Sequence, residues 1–423
     1  MTAEEVLQKL HQYAWTGCEP GLERVRALLF ALGEPQKTLK FVHIAGSNGK
    51  GSSSAMLASV LRAAGYRTGL FTSPHLVRMN ERMQVDGVEI TDAELSELAE
   101  LVLARCRGLA VHPTEYELMC AIGMEFFRRR GCDIVVLEVG LGGRLDATNV
   151  IDAPEVAALT TITMEHTNIL GNSLDAIIWE KVGVVKPGSH AVLYAQSAKV
   201  VDKVSEVCRG LAVPLTVTAP EELILLHRDI HLQEFTYRGE DYAISLAGGH
   251  QLQNAALVLD IVAALRARGW EISASALKTG LRAAKWPGRL ELLCERPVFF
   301  VDGGHNPQCA EALMAALKEL FGEEKKFTFL VGVHADKDWE SMLRAALRRA
   351  GRFITVANEN PRALGAETLA AWLREQGAEA VAAPSVYEGA VLARDSAADD
   401  EVICAWGSLY NVGTIRAAVG GAS

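Results

Sequence analysis

The 423-residue sequence contains no CxxC pair. Its eight cysteines (Cys18, Cys106, Cys120, Cys132, Cys208, Cys294, Cys309 and Cys404) are scattered. That excludes a disulfide framework or a structural zinc site built on clustered spacing, and it fits a reducing compartment. Most lie in apolar stretches such as 118–123 and 401–406, where a thiol behaves as a small hydrophobe. No uncharged apolar run approaches the roughly 18 residues that a membrane span requires. The opening MTAEEVLQKLHQYAW reads as an amphipathic helix without the basic start and apolar core of a secretory signal. A cytoplasmic location without a membrane partner is therefore expected. Positive charge is also short: 42 Lys and Arg stand against 52 Asp and Glu, a net charge of −10. Such a chain has no global attraction for nucleic acid, so an anionic ligand must be held by local positive groups. There is no internal repeat and no low-complexity segment. With 49% apolar and 22% charged residues, the composition supports a large buried core and excludes disorder as the main state.

Apolar β-rich runs alternate with helical patterns. KFVHIAG (40–46), YRTGLFTSP (66–74), CDIVVLEVG (132–140) and EVAALTTIT (155–163) read as strands. SSSAMLASVLRAAG (52–65), TDAELSELAELVLARC (91–106) and TEYELMCAIGMEFFRRRG (114–131) read as helices, and Thr91 with Glu94 forms a capping box. Continuous Val/Ile/Leu strands separated by helices indicate an α/β fold with a parallel sheet covered on both faces. Near 225–247 the period changes to that of a hairpin turning at RGED. WPGRLE (286–291) breaks the chain, and a second strand–helix series follows at 297–304, 327–333, 352–357 and 401–408. Two domains are expected, 1–286 and a smaller α/β domain at 287–423.

The strongest chemical signal is GSNGKGSS (46–53), set between a strand and a helix. Gly46, Gly49 and Gly51 allow tight turns, so that backbone N–H groups and a helix N-terminus face phosphates. Lys50 supplies a point charge and the Ser52 hydroxyl a Mg²⁺ ligand; the spacing departs from the strict Walker pattern by the glycine between them. Glu138, a lone carboxylate ending an apolar strand, needs a partner, and a divalent cation is the natural one. The adjoining GLGGRLDATN (140–149) reads as a mobile loop. His166 follows a strand, and Glu180-Lys181 lies on a helix begun by Asn172-Ser173. In the second half VDGGHNP (301–307), GVHADKDW (332–339) and GSLYNVG (407–413) place polar clusters at strand ends, where open sheets bind ligands.

Together these motifs resemble the folylpolyglutamate synthase / dihydrofolate synthase family of the Mur ligase superfamily. The series runs through GLERV (21–25), HIAGSNGKGS (43–52), TSPHL (72–76), NER (80–82), TEYE (114–117), EVGLGGRLDATN (138–149), EHTNILG (165–171) and EKVG (180–183). It continues with QLQNAA (251–256), WPGRLE (286–291), DGGHNP (302–307), DKD (336–338) and GSLY (407–410). The resemblance implies a P-loop ATPase domain followed by a Rossmann-like glutamate-ligase domain. It implies that Ser47, Asn48, Gly49, Lys50, Gly51, Ser52, Asn254, Arg289 and Asp302 bind ATP. Ser52, Glu138 and His166 would hold Mg²⁺, with two ions in all, and Lys181 would be carbamylated. Lys50, Lys181 and His305 would be the catalytic groups. Glu19, Pro20, Gly21, Leu22, Thr114, Leu145, Asp146 and Ala147 would lie on the pterin side, and Ser73 would also contact substrate. Ser408, with His305, would lie toward the incoming glutamate. The chain departs from the family in Glu165 for Asp, Tyr116 for Phe, Gly304 for Ala, and Glu19 for Asp.

The activity so implied converts a carboxylate to an acyl phosphate with ATP and Mg²⁺, after which the amine of L-glutamate displaces phosphate. The acceptor would be a folate or dihydropteroate, and the enzyme a monomer. Keeping the acyl phosphate from water calls for a second domain closing over it, with Arg289 and Lys337 neutralising charge. Two other readings remain at this point: a Mur-type ligase acting on another carboxylate, and a nucleotide-binding protein without ligation.

Overall fold

The computed structural model describes residues 2–13, 20–110 and 112–420. It divides into two compact units, one of Met1–Ile224, Thr236–Tyr242 and Gln253–Ala284, the other of Leu225–Phe235, Ala243–Leu252 and Lys285–Ser423.

The first unit is built on an eight-stranded sheet. Its strands are β1 (Phe41–Ala45), β2 (Thr68–Phe71), β3 (Met83–Val85), β4 (Val88–Glu89), β5 (Ile134–Glu138), β6 (Val156–Leu159), β7 (His190–Leu193) and β8 (Leu215–Val217). They lie in the order β4-β3-β2-β5-β1-β6-β7-β8. The run from β2 to β8 is parallel, and β3 and β4 add an antiparallel edge. Every residue of β1, β5 and β6 is buried, as the unbroken apolar runs require of strands covered on both faces. Helices Asp92–Cys106 and Glu115–Arg129 pack one hydrophobic cluster with Phe71, Val135 and Leu137. Both open on reciprocal capping boxes, Thr91 with Glu94 and Thr114 with Glu117.

A three-stranded sheet follows, β9 (Leu223–Arg228), β10 (Gln233–Tyr237) and β11 (Glu240–Ile244), in the order β11-β10-β9. The turn between β10 and β11 falls at Arg238-Gly239, where both residues have positive φ.

The second unit carries β12 (Glu291–Glu295), β13 (Val298–Val301), β14 (Phe327–Val331), β15 (Ala350–Thr355), β16 (Ala380–Ala382) and β17 (Val402–Trp406). Their order is β12-β13-β17-β14-β15-β16, parallel except for the edge strand β12. Phe300, Phe327, Phe329, Phe353 and Trp406 fill its core. Seven cysteines are free, five of them buried; Cys18 lies outside the described residues. No helix among the described residues is long and apolar enough to cross a membrane.

Candidate active site

β1 ends at Ala45, and residues 46–49 turn into helix Lys50–Ala63. The helix begins at Lys50, two residues earlier than the sequence suggested, so Lys50 and Ser52 sit in its first turn. Two glycines are required by space as well as by backbone. Gly46 has φ +145°, and a Cβ there would stand 1.7 Å from Thr160 Oγ1. Gly49 has φ +88°, and a Cβ would stand 2.5 Å from Asn254 Oδ1. Asn254, on helix Gly249–Ala267, is thereby packed directly against the loop. Lys50 Nζ donates to the carbonyls of Gly46 at 2.9 Å and Ser47 at 3.3 Å. Ser47 and Asn48 are tied to Thr161 and Thr163 beyond β6 by a 2.6 Å backbone bond and by hydroxyl bonds. The loop is thus a preformed cradle of backbone around one ammonium.

The strand order places β5 and β6 on either side of β1. Glu138 closes β5 and is buried, receiving the Ser73 N–H at 3.4 Å. His166 follows β6 in a left-handed conformation (φ 46°), heads the short helix Thr167–Leu170 and is exposed. Ser52 is buried on the helix after β1. One sheet edge therefore carries a hydroxyl, a carboxylate and an imidazole. That sparse donor set is how Mg²⁺ is bound when nucleotide phosphates and water complete its shell, so the residues present fit the ion.

Lys181 is buried on helix Leu174–Val182 and reaches Glu165 at 2.6 Å. Glu165, not the adjacent Glu180, is its partner; Glu180 pairs with Arg144 at 2.7 Å. Burial lowers the Lys181 ammonium to about 8; Glu165 opposes the shift and Lys50 adds to it. Glu165 itself is pushed up by burial, but Lys181 and Lys50 outweigh this and hold it below its ordinary value.

The segment 140–149 is not the mobile loop its glycines suggested. Asp146, Ala147, Thr148 and Asn149 are buried. Asp146 accepts from Leu141 N at 2.8 Å and from the Thr148 N–H and hydroxyl at 3.0 and 2.5 Å. Asn149 donates to the carbonyls of Arg144 and Gly183, and Lys186 Nζ to those of Asn149 and Ile151. The glycines serve close approach: a Cβ at Gly143 would lie 2.7 Å from the Glu180 carbonyl. Leu145 is half-buried beside Asp146.

Of the other pterin-side residues, Glu19 lies outside the described residues. Pro20 and Gly21 precede Leu22, which heads helix Glu23–Ala31. Arg24 on that helix holds buried Glu117 at 2.9 Å, one helical turn past Thr114. This fastens the Leu22 and Thr114 helix starts together. The sequence reading missed this pair, although a Glu in the apolar stretch YELMCAI signals a buried partner. Tyr116 lies against Gly140, where a Cβ would meet its hydroxyl at 2.5 Å.

In the second unit the ends of β13, β17 and β14 are adjacent. Asp302 accepts from Leu290 N and Gly304 N at 2.8 and 2.7 Å, which ties the residue after Arg289 to the strand end. A Cβ at Gly303 would meet Arg289 Nη1 at 2.8 Å, and one at Gly304 would meet Asp302 Oδ1 at 2.7 Å. Glycine at both positions thus lets Arg289 and Asp302 keep these places. His305 Nδ1 bonds the Gly303 carbonyl at 3.0 Å, and burial, with help from Arg289 and Lys337, lowers its basicity. Ser408 caps helix Leu409–Val419 and lies 3.5 Å from His334 Nε2; the His334 ring stacks on Tyr410.

Residues 44–262 match the Mur ligase middle domain and residues 288–409 the Mur ligase glutamate ligase domain. The folylpolyglutamate synthase of Lacticaseibacillus casei is 33% identical over 98% of both chains. The chain belongs to the folylpolyglutamate synthase / dihydrofolate synthase family of Mur ligases. Within that family the Bacillus subtilis dihydrofolate synthase/folylpolyglutamate synthase is 35% identical over 78% of this chain and 79% of its own. The Escherichia coli FolC structure with DHPP and ADP has a TM-score of 0.85 at 30% identity, covering 98% of this chain and 97% of that one. Both α/β units are those of the family, and the chain is an ATP-dependent ligase.

Proposed function

We propose that this ligase joins L-glutamate to a folate through an acyl phosphate, with dihydropteroate as a second acceptor, and releases ADP and phosphate. The observation that supports it best is the loop 46–52 after β1 with Glu138 closing the adjacent β5, in a chain that is 33% identical over 98% of its length to a relative named folylpolyglutamate synthase. ATP is held by Ser47, Asn48, Gly49, Lys50, Gly51 and Ser52 together with Asn254, Arg289 and Asp302. The domain 1–286 handles the phosphates, and the domain 287–423 supplies Arg289 and Asp302 and handles glutamate. Ser52, Glu138 and His166 hold Mg²⁺, whose charge would neutralise the phosphate oxygens during transfer. Lys50 Nζ donates to two loop carbonyls, and a γ-phosphate would offer it a charged acceptor in their place.

The acceptor carboxylate attacks the γ-phosphorus and ADP leaves. The neutral amine of glutamate then attacks the acyl carbon, loses a proton, and phosphate departs carrying the former carboxylate oxygen. His305, kept neutral by burial, can take that proton, and Ser408 lies toward the glutamate. Pro20, Gly21, Leu22, Thr114, Leu145, Asp146 and Ala147, with Glu19, face the pterin, and Ser73 also contacts substrate.

Lys181 is carbamylated in the working enzyme. Its neutral amine attacks CO₂ and releases a proton, and an ammonium lowered to about 8 supplies that amine near neutral pH. The product anion suits a second Mg²⁺. The enzyme works as a cytoplasmic monomer, in keeping with its free, mostly buried thiols. Heavy-oxygen label in the acceptor carboxylate tests the chemistry: the account requires one labelled atom in the released phosphate, and unlabelled phosphate refutes the acyl phosphate.

A further inference from the structure

We propose that His43 is a positioning residue for the acceptor site: through Thr148 it fixes the carboxylate of Asp146 relative to the strand that leads into the nucleotide loop. The inference rests on the reading that Asp146 faces the pterin.

His43 is the central residue of β1 and is fully buried between β5 and β6. Its neighbours Val42 and Ile44 are aliphatic, and an imidazole in this place is costly. Its Nδ1 is buried without a hydrogen-bond partner, a loss that an aliphatic side chain would not incur. What the imidazole gains is one contact, Nε2 to Thr148 Oγ1 at 2.8 Å across 105 residues of sequence. Thr148 has a single hydroxyl proton, and it is given to Asp146 Oδ1 at 2.5 Å. The Thr148 oxygen must therefore accept, so His43 carries its proton on Nε2 and leaves Nδ1 bare, in agreement with the unpartnered nitrogen. The chain of donors runs in one direction: His43 to Thr148 to Asp146.

The rest of the loop is held elsewhere. Asp146 Oδ2 is fixed by Leu141 N, and Asn149 is fixed by its bonds to the Arg144 and Gly183 carbonyls. Among the described residues, it is His43 that hydrogen-bonds the middle of the loop to β1. From His43 to Gly46 is three residues of strand, about 10 Å. The same rigid segment thus sets both the phosphate cradle and the rotamer of Thr148. A preorganised carboxylate loses less on binding the acceptor than one that must first be ordered.

The test is steady-state kinetics of the full-length protein with tetrahydrofolate, L-glutamate and MgATP. His43→Leu keeps the volume and removes the donor; His43→Gln returns an N–H near the Nε2 position. Loss of one such buried bond predicts that His43→Leu raises the KM for tetrahydrofolate about 10-fold or more. The KM for ATP should stay within about twofold, and His43→Gln should recover most of the loss. Thr148→Val, nearly isosteric, should reproduce the Leu phenotype, and it serves as the reporter if His43→Leu does not fold. Asp146→Asn separates the two layers of the argument. If it leaves the tetrahydrofolate KM unchanged, the placement of Asp146 and this proposal both fall. If Asp146→Asn raises that KM but His43→Leu and Thr148→Val do not, positioning by His43 alone is refuted. Equal rises in the KM for ATP and for tetrahydrofolate would refute it too, since they would mark a general distortion of β1.

Discussion

Replacing His43 with Gln should flatten the acid side of the stability profile. Burial lowers the imidazole from 6.5 to about 3, with Lys186 adding to the shift. The unfolded chain therefore binds a proton between pH 6.5 and 3 that the folded chain refuses. Stability rises with pH wherever the unfolded state holds more protons, so this group makes the fold progressively less stable as pH falls below 6.5. At pH 5 the unfolded histidine is about 1.5 units below its pKa while the folded one is still neutral. The penalty is then about 2 kcal/mol, against about 0.2 kcal/mol at pH 7. Glutamine does not titrate and carries none of this. Urea unfolding followed by far-ultraviolet circular dichroism at pH 7 and pH 5 measures the difference. The parent should lose about 2 kcal/mol more than His43→Gln between the two pH values; other histidines titrate in both proteins and cancel. Parallel losses would mean that His43 is hydrated or protonated in the fold, which would remove the donor direction deduced for Thr148.

Glu138→Gln should fold normally and lower kcat by at least about 100-fold, an effect of the size seen when one preorganised charge-stabilising group is lost; near-normal kcat would show that Glu138 does not hold the ion. Gly49→Ala places a Cβ 2.5 Å from Asn254 Oδ1 at a positive φ, so it should raise the KM for ATP well above any change in the KM for glutamate. An unchanged KM for ATP would contradict a preformed cradle. Lys181→Ala should be inactive and partly rescued by short carboxylates such as acetate, because an added anion can replace a carbamate; a fully active alanine variant would deny the lysine any role in the reaction.

Legibility of the sequence followed the range of the interactions. Lys50 and Ser52 are four and six residues from Gly46, and the strand–loop–helix context was enough to assign them. Glu138 was legible for a thermodynamic reason: a carboxylate in an unbroken apolar strand must have a partner. The same logic applied to His43 in FVHIA and to Glu117 in YELMCAI would have marked both as buried and bonded. Their partners, Thr148 and Arg24, lie 105 and 93 residues away, and no local pattern specifies such pairs. The segment 140–149 misled because glycine reads as freedom, whereas Gly143 is there to let the backbone approach Glu180. The parallel sheets were plain from continuous apolar runs. The short strand β3 and the edge strands β4, β12 and β16 have weak periodicity and become strands through their neighbours.

The central claim is ATP-dependent ligation of glutamate to a folate-type carboxylate. It is tested most directly by measuring phosphate release with ATP, Mg²⁺ and L-glutamate, with either tetrahydrofolate or dihydropteroate as acceptor, and by weighing the product. The account predicts phosphate release that requires both glutamate and acceptor, with one glutamyl residue added to the product for each phosphate formed. ATP hydrolysis that is indifferent to both acceptors, or phosphate release without an added glutamate, would contradict it.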